Sequence, residues 1–178
     1  MALTATIYNF DVELADNDRG VYETLALRVA QHPSESDEYL IARVLAYLLE
    51  YREGIEFSRG VSEPEEPAIS IRDLTGRITT WIEIGTPDST RLHKAAKAAE
   101  RVVVYCHKEG AQWLKGLGAA GIHRAGEIEL YAFDRSFIAE MVARLDRRMA
   151  FSVSITDREI YLSIGNDNLT GHVQRLAL

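Results

Sequence analysis

Two blocks of opposite charge balance stand next to each other in this 178-residue sequence. Residues 35–66 hold nine acidic and three basic residues, whereas residues 67–148 hold ten acidic and thirteen basic residues. Clustered carboxylates are the ligands that a hard cation such as Mg²⁺ prefers, and a basic surface attracts anions. The pattern therefore suits a carboxylate metal pocket beside a modestly basic surface that would face an anionic substrate.

The overall composition limits which partners are open to the protein. Twenty Lys and Arg against twenty-seven Asp and Glu give a net charge of −7, which argues against tight, nonspecific binding to nucleic acid or to an anionic membrane. A weak nucleic-acid contact, a protein partner and any oligomeric state remain open. The single cysteine excludes an internal disulfide framework. No segment has the pattern of a signal peptide or a transmembrane helix, so the sequence predicts a soluble cytoplasmic protein.

Hydrophobic periodicity predicts one α/β domain over residues 1–178. The core is predicted over about 20–148, with a mixed sheet and flanking helices, and a β layer is predicted from about 2–14 and 149–178. In the core, helices are predicted at 21–30, 36–51, 87–100, 109–117 and 135–148. Strands are predicted at 68–72, 77–85, 102–105 and 127–133, and a loop at 55–67.

Capping signals and terminal strands refine this prediction. Ser34 is the predicted N-cap of the second helix, and Thr86, followed by Pro87, that of the third. The strands after residue 148 alternate apolar and polar side chains, and we expect the N-terminal strand to pair with them because each needs a neighbour.

Five segments resemble the YaeQ family of small bacterial proteins, and the similarity extends over essentially the whole chain. They are ALTATIY (2–8), HPSE (32–35), FSRG (57–60), WIEIG (81–85) and PDSTRLHKA (87–95). The resemblance implies a fold variant of the PD-(D/E)XK nucleases, which have a restriction-endonuclease-like core. It does not imply an established activity, because the family is poorly characterised.

A nuclease of that type needs a helix, a β-hairpin, a second helix and a further strand, and the predicted elements follow this order. Its chemistry needs two or three carboxylates on Mg²⁺ and a lysine that orients water and stabilises the phosphate. Glu83 stands where the second acid is expected. The lysine position, two residues further along the same strand face, is occupied by Gly85. A glycine cannot orient water, so the lysine must come from elsewhere or hydrolysis is lost.

Lys94 is the candidate replacement for that lysine. It belongs to a basic stripe with helical spacing, on the helix that begins just after Gly85. The stripe consists of Arg91, Lys94, Lys97 and Arg101. An ordinary solvated helix face explains the same spacing, so both interpretations stay open.

The first acid is ambiguous between Glu66 and Asp73. If residue 72 pairs near residue 78, the partner of Glu83 lies near residue 67, which favours Glu66. Asp73 is also explained as a turn residue and Glu66 as a solvated loop acid. Glu38, like Glu35, could add a ligand, but acidic residues in the first turn of a helix already have a structural reason.

Other reactive side chains are predicted to be structural. Cys106 follows three valines and Tyr105, which favours a buried thiol over a nucleophile. Trp81 and Tyr105 are predicted to belong to the core rather than to stack on bases. The five histidines have no metal-binding spacing and are predicted to lie on the surface or in loops.

Two functions therefore remain in competition. One is an Mg²⁺-dependent phosphodiesterase acting on nucleic acid. Its catalytic residues would be Glu83, Lys94, Glu66 and Asp73, with Glu83, Glu66, Asp73 and Glu38 as candidate metal ligands. The other is a non-catalytic protein that keeps the nuclease-like core and acts through a partner in gene expression. Gly85 and the acidic total charge favour the second function.

Overall fold

Alternating apolar residues form ten strands in the part of the chain that our computed structural model describes, residues 4–58 and 65–178. The strands are β1 (Thr6–Asp16), β2 (Val21–Gln31), β3 (Ile55–Phe57), β4 (Ile69–Arg72), β5 (Ile78–Ile84), β6 (Arg101–Cys106), β7 (Glu129–Phe133), β8 (Arg148–Thr156), β9 (Glu159–Ile164) and β10 (Asp167–Leu176). The helices of the described residues are α1 (Asp37–Leu49), α2 (Ser89–Ala98), α3 (Ala111–Gly118) and α4 (Arg135–Ala143).

All ten strands join one mixed sheet in the order β2-β1-β8-β9-β10-β7-β6-β5-β4-β3. The pairs β1–β8, β5–β6 and β6–β7 are parallel and the others are antiparallel. The expected pairing of the terminal strands is confirmed, since Val12 of β1 lies opposite Phe151 of β8. The fold is therefore a mixed α/β fold in which the terminal β layer continues directly into the central sheet through β10 and β7.

The helix predicted at 21–30 is wrong, because this segment is strand β2. It pairs with β1 over its full length, from Thr6 opposite Gln31 to Asp16 opposite Val21. Leu25, Leu27 and Val29 are buried while the residues between them are exposed. This period of two was present in the sequence beside the helical spacing, and the long partner strand β1 decides between them.

Several predicted boundaries are also corrected. The N-cap of α1 is Ser36, whose hydroxyl accepts a hydrogen bond from the Tyr39 amide, and the helix ends at Leu49, before Gly54. The N-cap of α2 is Asp88 rather than Thr86, and its carboxylate accepts from the Arg91 amide. The predicted loop at 55–67 contains β3, and the predicted helix at 135–148 ends at Ala143.

The core is divided between the two faces of the sheet. Ile82 and Ile84 of β5 pack in a cluster with α1 and α4, whereas Trp81 packs in a second cluster with residues of α2 and with Leu117 of α3. Strand alternation therefore turns Glu83 toward the same face as Trp81, the face that α2 covers. Glu83 therefore lies on the face of β5 opposite to Ile82 and Ile84. Cys106 is also buried, as predicted.

Candidate active site

Glu83 is a buried carboxylate near the C-terminal end of β5. Its Oε1 atom accepts a hydrogen bond from the Trp81 indole at 2.7 Å and lies 2.8 Å from the Arg91 guanidinium. A buried carboxylate needs such partners, because an unpaired charge in the protein interior is costly. The strand period brings Trp81 to the same face of the sheet, and the first turn of α2 brings Arg91.

Arg91 connects Glu83 with the segment that precedes β4. Its Nη2 atom donates a hydrogen bond of 2.7 Å to the main-chain carbonyl of Glu66, and the guanidinium lies 5.9 Å from the Trp81 ring centroid. Burial disfavours the charged guanidinium, but the hydrogen bond to Glu83 and the charges of Glu83, Tyr39 and Asp88 together outweigh this effect, so the pKa of Arg91 is raised. A guanidinium that is permanently charged can stabilise a phosphate but cannot take a proton from water.

The N-terminal part of α1 brings a second set of polar groups toward this end of β5. Burial raises the pKa of the Tyr39 hydroxyl to about 12, and the charges of Arg43, Glu35, Glu83 and Arg91 act on the same hydroxyl. These charged groups therefore lie within electrostatic range of one another around Tyr39. We call Glu35, Tyr39, Arg43, Glu83 and Arg91 the α1–β5 cluster.

Glu35 and Arg43 form a buried ion pair in the α1–β5 cluster. The Arg43 Nη2 atom lies 3.7 Å from Glu35 Oε2 and donates a hydrogen bond of 2.7 Å to the carbonyl of Ala30. Glu35 Oε2 and two nitrogens of Arg43 have no hydrogen-bond partner in the described part of the chain. Buried polar atoms of this kind are normally satisfied by water or by a ligand.

Gly85 and His107 lie next to each other at the same end of the sheet. Gly85 has a φ of 94°, and a Cβ atom built on it would lie 3.7 Å from His107 Cε1. A Cβ atom there would have room, but the backbone of a lysine would be strained at this φ. The conformation thus gives a physical reason why the expected lysine position holds a glycine. The His107 ring also contacts Tyr39 edge-on, with centroids 6.2 Å apart.

His107 lies in the loop that follows β6, in keeping with the predicted surface or loop position, but the residue is buried, at 6% exposed. Its two ring nitrogens have no hydrogen-bond partner among the described residues. Burial lowers the pKa of His107 to about 4, Lys108 acts in the same direction, and Glu38 opposes it. The ring is therefore neutral in the folded protein at pH 7.

Acid is expected to destabilise the protein through His107. Between about pH 6.5 and pH 4, His107 is protonated in the unfolded chain but stays neutral in the folded chain. The free energy of unfolding therefore falls as the pH falls through this window. From pH 7 to pH 5 the loss due to this group is about 2 kcal/mol. The substitution His107→Asn should remove this part of the loss, measured by urea unfolding at both pH values. The control His123→Gln, at an exposed histidine, should leave this loss unchanged. An equal fall in the free energy of unfolding from pH 7 to pH 5 in the parent and both variants would contradict the prediction.

The structure brings only some of the sequence-predicted residues to Glu83. Glu66 lies close to Glu83, because the Arg91 guanidinium contacts both the main-chain carbonyl of Glu66 and the carboxylate of Glu83. Lys94 instead pairs with Glu65, so Arg91 is the basic residue against Glu83. The predicted basic stripe is also divided, because Arg101 lies on β6 and not on the helix.

Asp73 and Glu38 lie in different surroundings from Glu83. Asp73 is at the β4–β5 turn, at the opposite end of β5, where its carboxylate accepts hydrogen bonds from Thr75 and from the Arg77 amide. These hydrogen bonds, that of Thr75 first, lower the pKa of Asp73, in keeping with the turn role considered for it. Glu38 is exposed in the first turn of α1 and acts electrostatically on His107.

Sequence reasoning missed Tyr39, Arg43 and His107 as members of this region and named Arg91 only as part of the basic stripe. One signal was available, because Arg43 is a single charged residue inside the apolar run of α1, where it is 1% exposed. A charge in the middle of a buried helix predicts a buried partner. For His107, the position directly after the buried strand β6 was the comparable signal.

Comparison with known proteins shows the family of the chain. The family model described as "YaeQ protein" matches residues 1–173. The chain belongs to the YaeQ family. An uncharacterised YaeQ protein of Escherichia coli (strain K12) is 34% identical over 171 residues, covering 95% of this chain and 94% of that protein, and one of Salmonella typhi is 33% identical over 172 residues.

Two crystal structures of YaeQ proteins share the fold over nearly the whole chain. The protein from Pseudomonas syringae has a TM-score of 0.91 at 29% identity, covering 97% of this chain and 96% of that one. The protein from Xanthomonas axonopodis pv. citri has a TM-score of 0.89 at 33% identity, covering 97% and 98%. In this YaeQ-family chain, no helix of residues 4–58 and 65–178 has the length and apolar character needed to cross a bilayer.

Proposed function

We propose that the α1–β5 cluster, together with Glu66, is the site of an Mg²⁺-dependent phosphodiesterase that acts on nucleic acid. The observation that carries the proposal is the buried Glu83 carboxylate near the end of β5, held between Trp81 and Arg91 and sharing Arg91 with the main chain of Glu66. The succession of α1, the β4–β5 hairpin, α2 and the parallel strand β6 is the order that a PD-(D/E)XK core requires, which supports the proposal.

The oxygen atoms at this site are of the type that Mg²⁺ prefers as ligands. Mg²⁺ takes oxygen ligands and is usually held by one or two carboxylates, with water and substrate phosphate completing its shell. Glu83 and Glu66 would hold it, and Glu35 Oε2, a buried oxygen without a hydrogen-bond partner in the described residues, would accept one of its waters. Residues 4–58 and 65–178 do not gather three or more acidic, His or Cys side chains as a ready-made cage.

Arg91 would perform the task of the lysine that Gly85 replaces. Its guanidinium would leave Glu83 Oε1 and bind the phosphate, because planar fork geometry matches two phosphate oxygens. The bound ion would neutralise charge on the phosphate and lower the pKa of the attacking water. The Trp81 indole would keep Glu83 oriented while Arg91 moves.

A second candidate, a binding protein without hydrolysis, is favoured by the ion pair itself. Arg91 neutralises Glu83, and its pKa is too high for it to replace lysine in proton transfer. A site of this kind would recognise a phosphate without cleaving it, and the protein would act through a partner in gene expression.

The decisive experiment combines calorimetry with Mg²⁺ or Mn²⁺ and cleavage of labelled single- and double-stranded DNA and RNA. We expect Glu83→Gln to weaken metal binding at least about 10-fold and cleavage about 100-fold, since one of few carboxylate ligands is lost. Arg91→Met should lower cleavage but strengthen metal binding, because the competing cation is gone. Glu13→Gln, an exposed site on β1, is the matched control.

The outcomes separate the two candidates. Metal binding and cleavage that both depend on Glu83 support the enzyme. Nucleic-acid binding that depends on Arg91, without metal binding or cleavage, supports the binding protein. If neither ion binds and no nucleic acid is cut, the phosphodiesterase proposal is wrong.

A further inference from the structure

A cavity of about 180 Å³ lies at the far end of α1 from the α1–β5 cluster. Its wall includes Glu50, the C-cap of α1, and Arg101, the first residue of β6. The thirteen residues of α1 place roughly 20 Å between the two ends of the helix. The cavity is therefore separate from the proposed phosphodiesterase site, and a ligand could bind in it whether or not the protein is a phosphodiesterase.

Aromatic and aliphatic side chains form the apolar part of the cavity wall. The rings of Tyr105 and Tyr131 are stacked, with centroids 5.2 Å apart and planes inclined by 19°. Leu49, Ile155 and Val173 complete the apolar lining. A dry cavity of about 150 Å³ accepts benzene, so this volume suits one six-membered ring with a small substituent.

The acidic groups of the cavity wall already have partners. Asp16 pairs with Arg19 at 2.7 Å, and Glu50 pairs with Arg101 at 2.7 Å while it also accepts the Tyr105 hydroxyl at 2.6 Å. The carboxylate of Asp18, another lining residue, accepts main-chain hydrogen bonds of the β8–β9 turn. Asp16 and Glu50 are therefore paired with Arg19 and Arg101, whereas Asp18 is held by main-chain amides of the turn that carries Arg158.

Of the three arginines that line the cavity, Arg19 and Arg101 belong to these ion pairs and Arg158 does not. Its guanidinium lies 4.9 Å from the Tyr131 ring centroid, at the cavity wall, and has no carboxylate or hydrogen-bond partner among the described residues. It stands in the two-residue β8–β9 turn at a φ of 62°, a conformation that favours glycine over arginine. Asp18 holds this turn by accepting hydrogen bonds from the amides of Asp157 and Arg158, at 2.7 and 3.0 Å.

We propose that this cavity binds a small aryl or heteroaryl carboxylate, with the ring against the tyrosines and the carboxylate on Arg158. The Arg158 guanidinium, which no carboxylate of residues 4–58 and 65–178 pairs with, stands beside an apolar, ring-sized cavity and matches a planar monoanion. Burial of the ring contributes apolar contact, and the guanidinium fork donates two hydrogen bonds to the carboxylate. A phosphate alone would leave the apolar wall unused, and a neutral ring would leave Arg158 unpaired.

Titration calorimetry of the full chain with benzoate and nicotinate tests the proposal, with benzamide as the neutral probe and inorganic phosphate as the anion without a ring. We expect a carboxylate probe to bind at least 10-fold more tightly than benzamide or phosphate. Arg158→Gln should weaken that binding by a factor on the order of 10 to 100, the effect of losing a charge-assisted pair. Arg148→Gln, an exposed arginine on β8 outside this cavity, is the matched control.

A second variant keeps the test independent of folding. Arg158→Gly relieves the left-handed backbone conformation, so its melting temperature should be no lower than that of the parent, yet it should lose binding as Arg158→Gln does. Equal affinity for benzoate and benzamide, unchanged affinity in both Arg158 variants, or no binding of either carboxylate up to tens of millimolar would each overturn the proposal.

Discussion

Replacement of Arg101 by methionine is expected to lower the free energy of unfolding by about 3 kcal/mol at pH 7. Arg101 donates hydrogen bonds to both Glu50 and Glu129, and Glu50 also accepts the hydroxyl of the buried Tyr105. The Glu50 side chain is 9% exposed, so loss of its cation leaves a poorly solvated charge beside a second carboxylate. Because Arg101 itself is 36% exposed, the expected loss lies at the low end for a buried pair.

The pH dependence identifies the cause of this loss. Burial alone would raise the pKa of Glu129. Hydrogen bonding and the charge of Arg101 have the larger combined effect in the opposite direction, so the pKa of Glu129 is lowered in the parent protein. Without Arg101 much of this depression is lost, so folded Glu129 is expected to take up its proton at a higher pH in the variant than in the parent protein. The variant's deficit should therefore shrink from pH 7 to pH 5.

Urea unfolding at the two pH values checks this result. Arg175→Met is the matched control, because Arg175 also lies near Glu129, at 3.7 Å, but is 48% exposed. This substitution should lower the free energy of unfolding by less than about 1 kcal/mol. A deficit of the Arg101 variant that is equally large at pH 5 would show that lost packing, not uncompensated charge, is responsible.

Replacement of Arg43 by methionine should lower the free energy of unfolding by about 3 to 5 kcal/mol, because it leaves Glu35 as an uncompensated buried charge. The side chains of Glu35 and Arg43 are 0% and 1% exposed, so bulk solvent does not screen either charge. Methionine retains much of the volume of the arginine stem, and the contact with the Phe57 ring, 5.6 Å from the guanidinium carbon, keeps an apolar neighbour.

The double variant Glu35→Gln/Arg43→Met should be more stable than Arg43→Met alone, since it removes both charges. Urea unfolding of the two single variants and the double variant forms a mutant cycle, and we expect a coupling of about 2 kcal/mol. Arg28→Met, an exposed arginine on β2, should change stability little. Strict additivity in the cycle would show that the two side chains act independently.

The strand pattern of the C-terminal part could be predicted because it depends on local alternation. Phe151, Val153 and Ile155 of β8 and Ile160 and Leu162 of β9 are all buried, as their spacing indicates. The β4–β5 hairpin was predictable for the same reason. The segment that became β2 fits a period of 3.6 as well as a period of 2, and only its eleven-residue pairing with β1 resolves this.

The sequence by itself determined the family, the acidic residue Glu83 on a buried strand and the absence of the expected lysine at position 85. These follow from residue types and from the geometry of a single strand. Only the tertiary structure decided that Arg91 rather than Lys94 faces Glu83, and that Glu35, Tyr39, Arg43 and His107 share that end of the sheet. Helical spacing places Arg91 and Lys94 on one face, but the packing of α2 against β5 fixes which of them reaches the carboxylate.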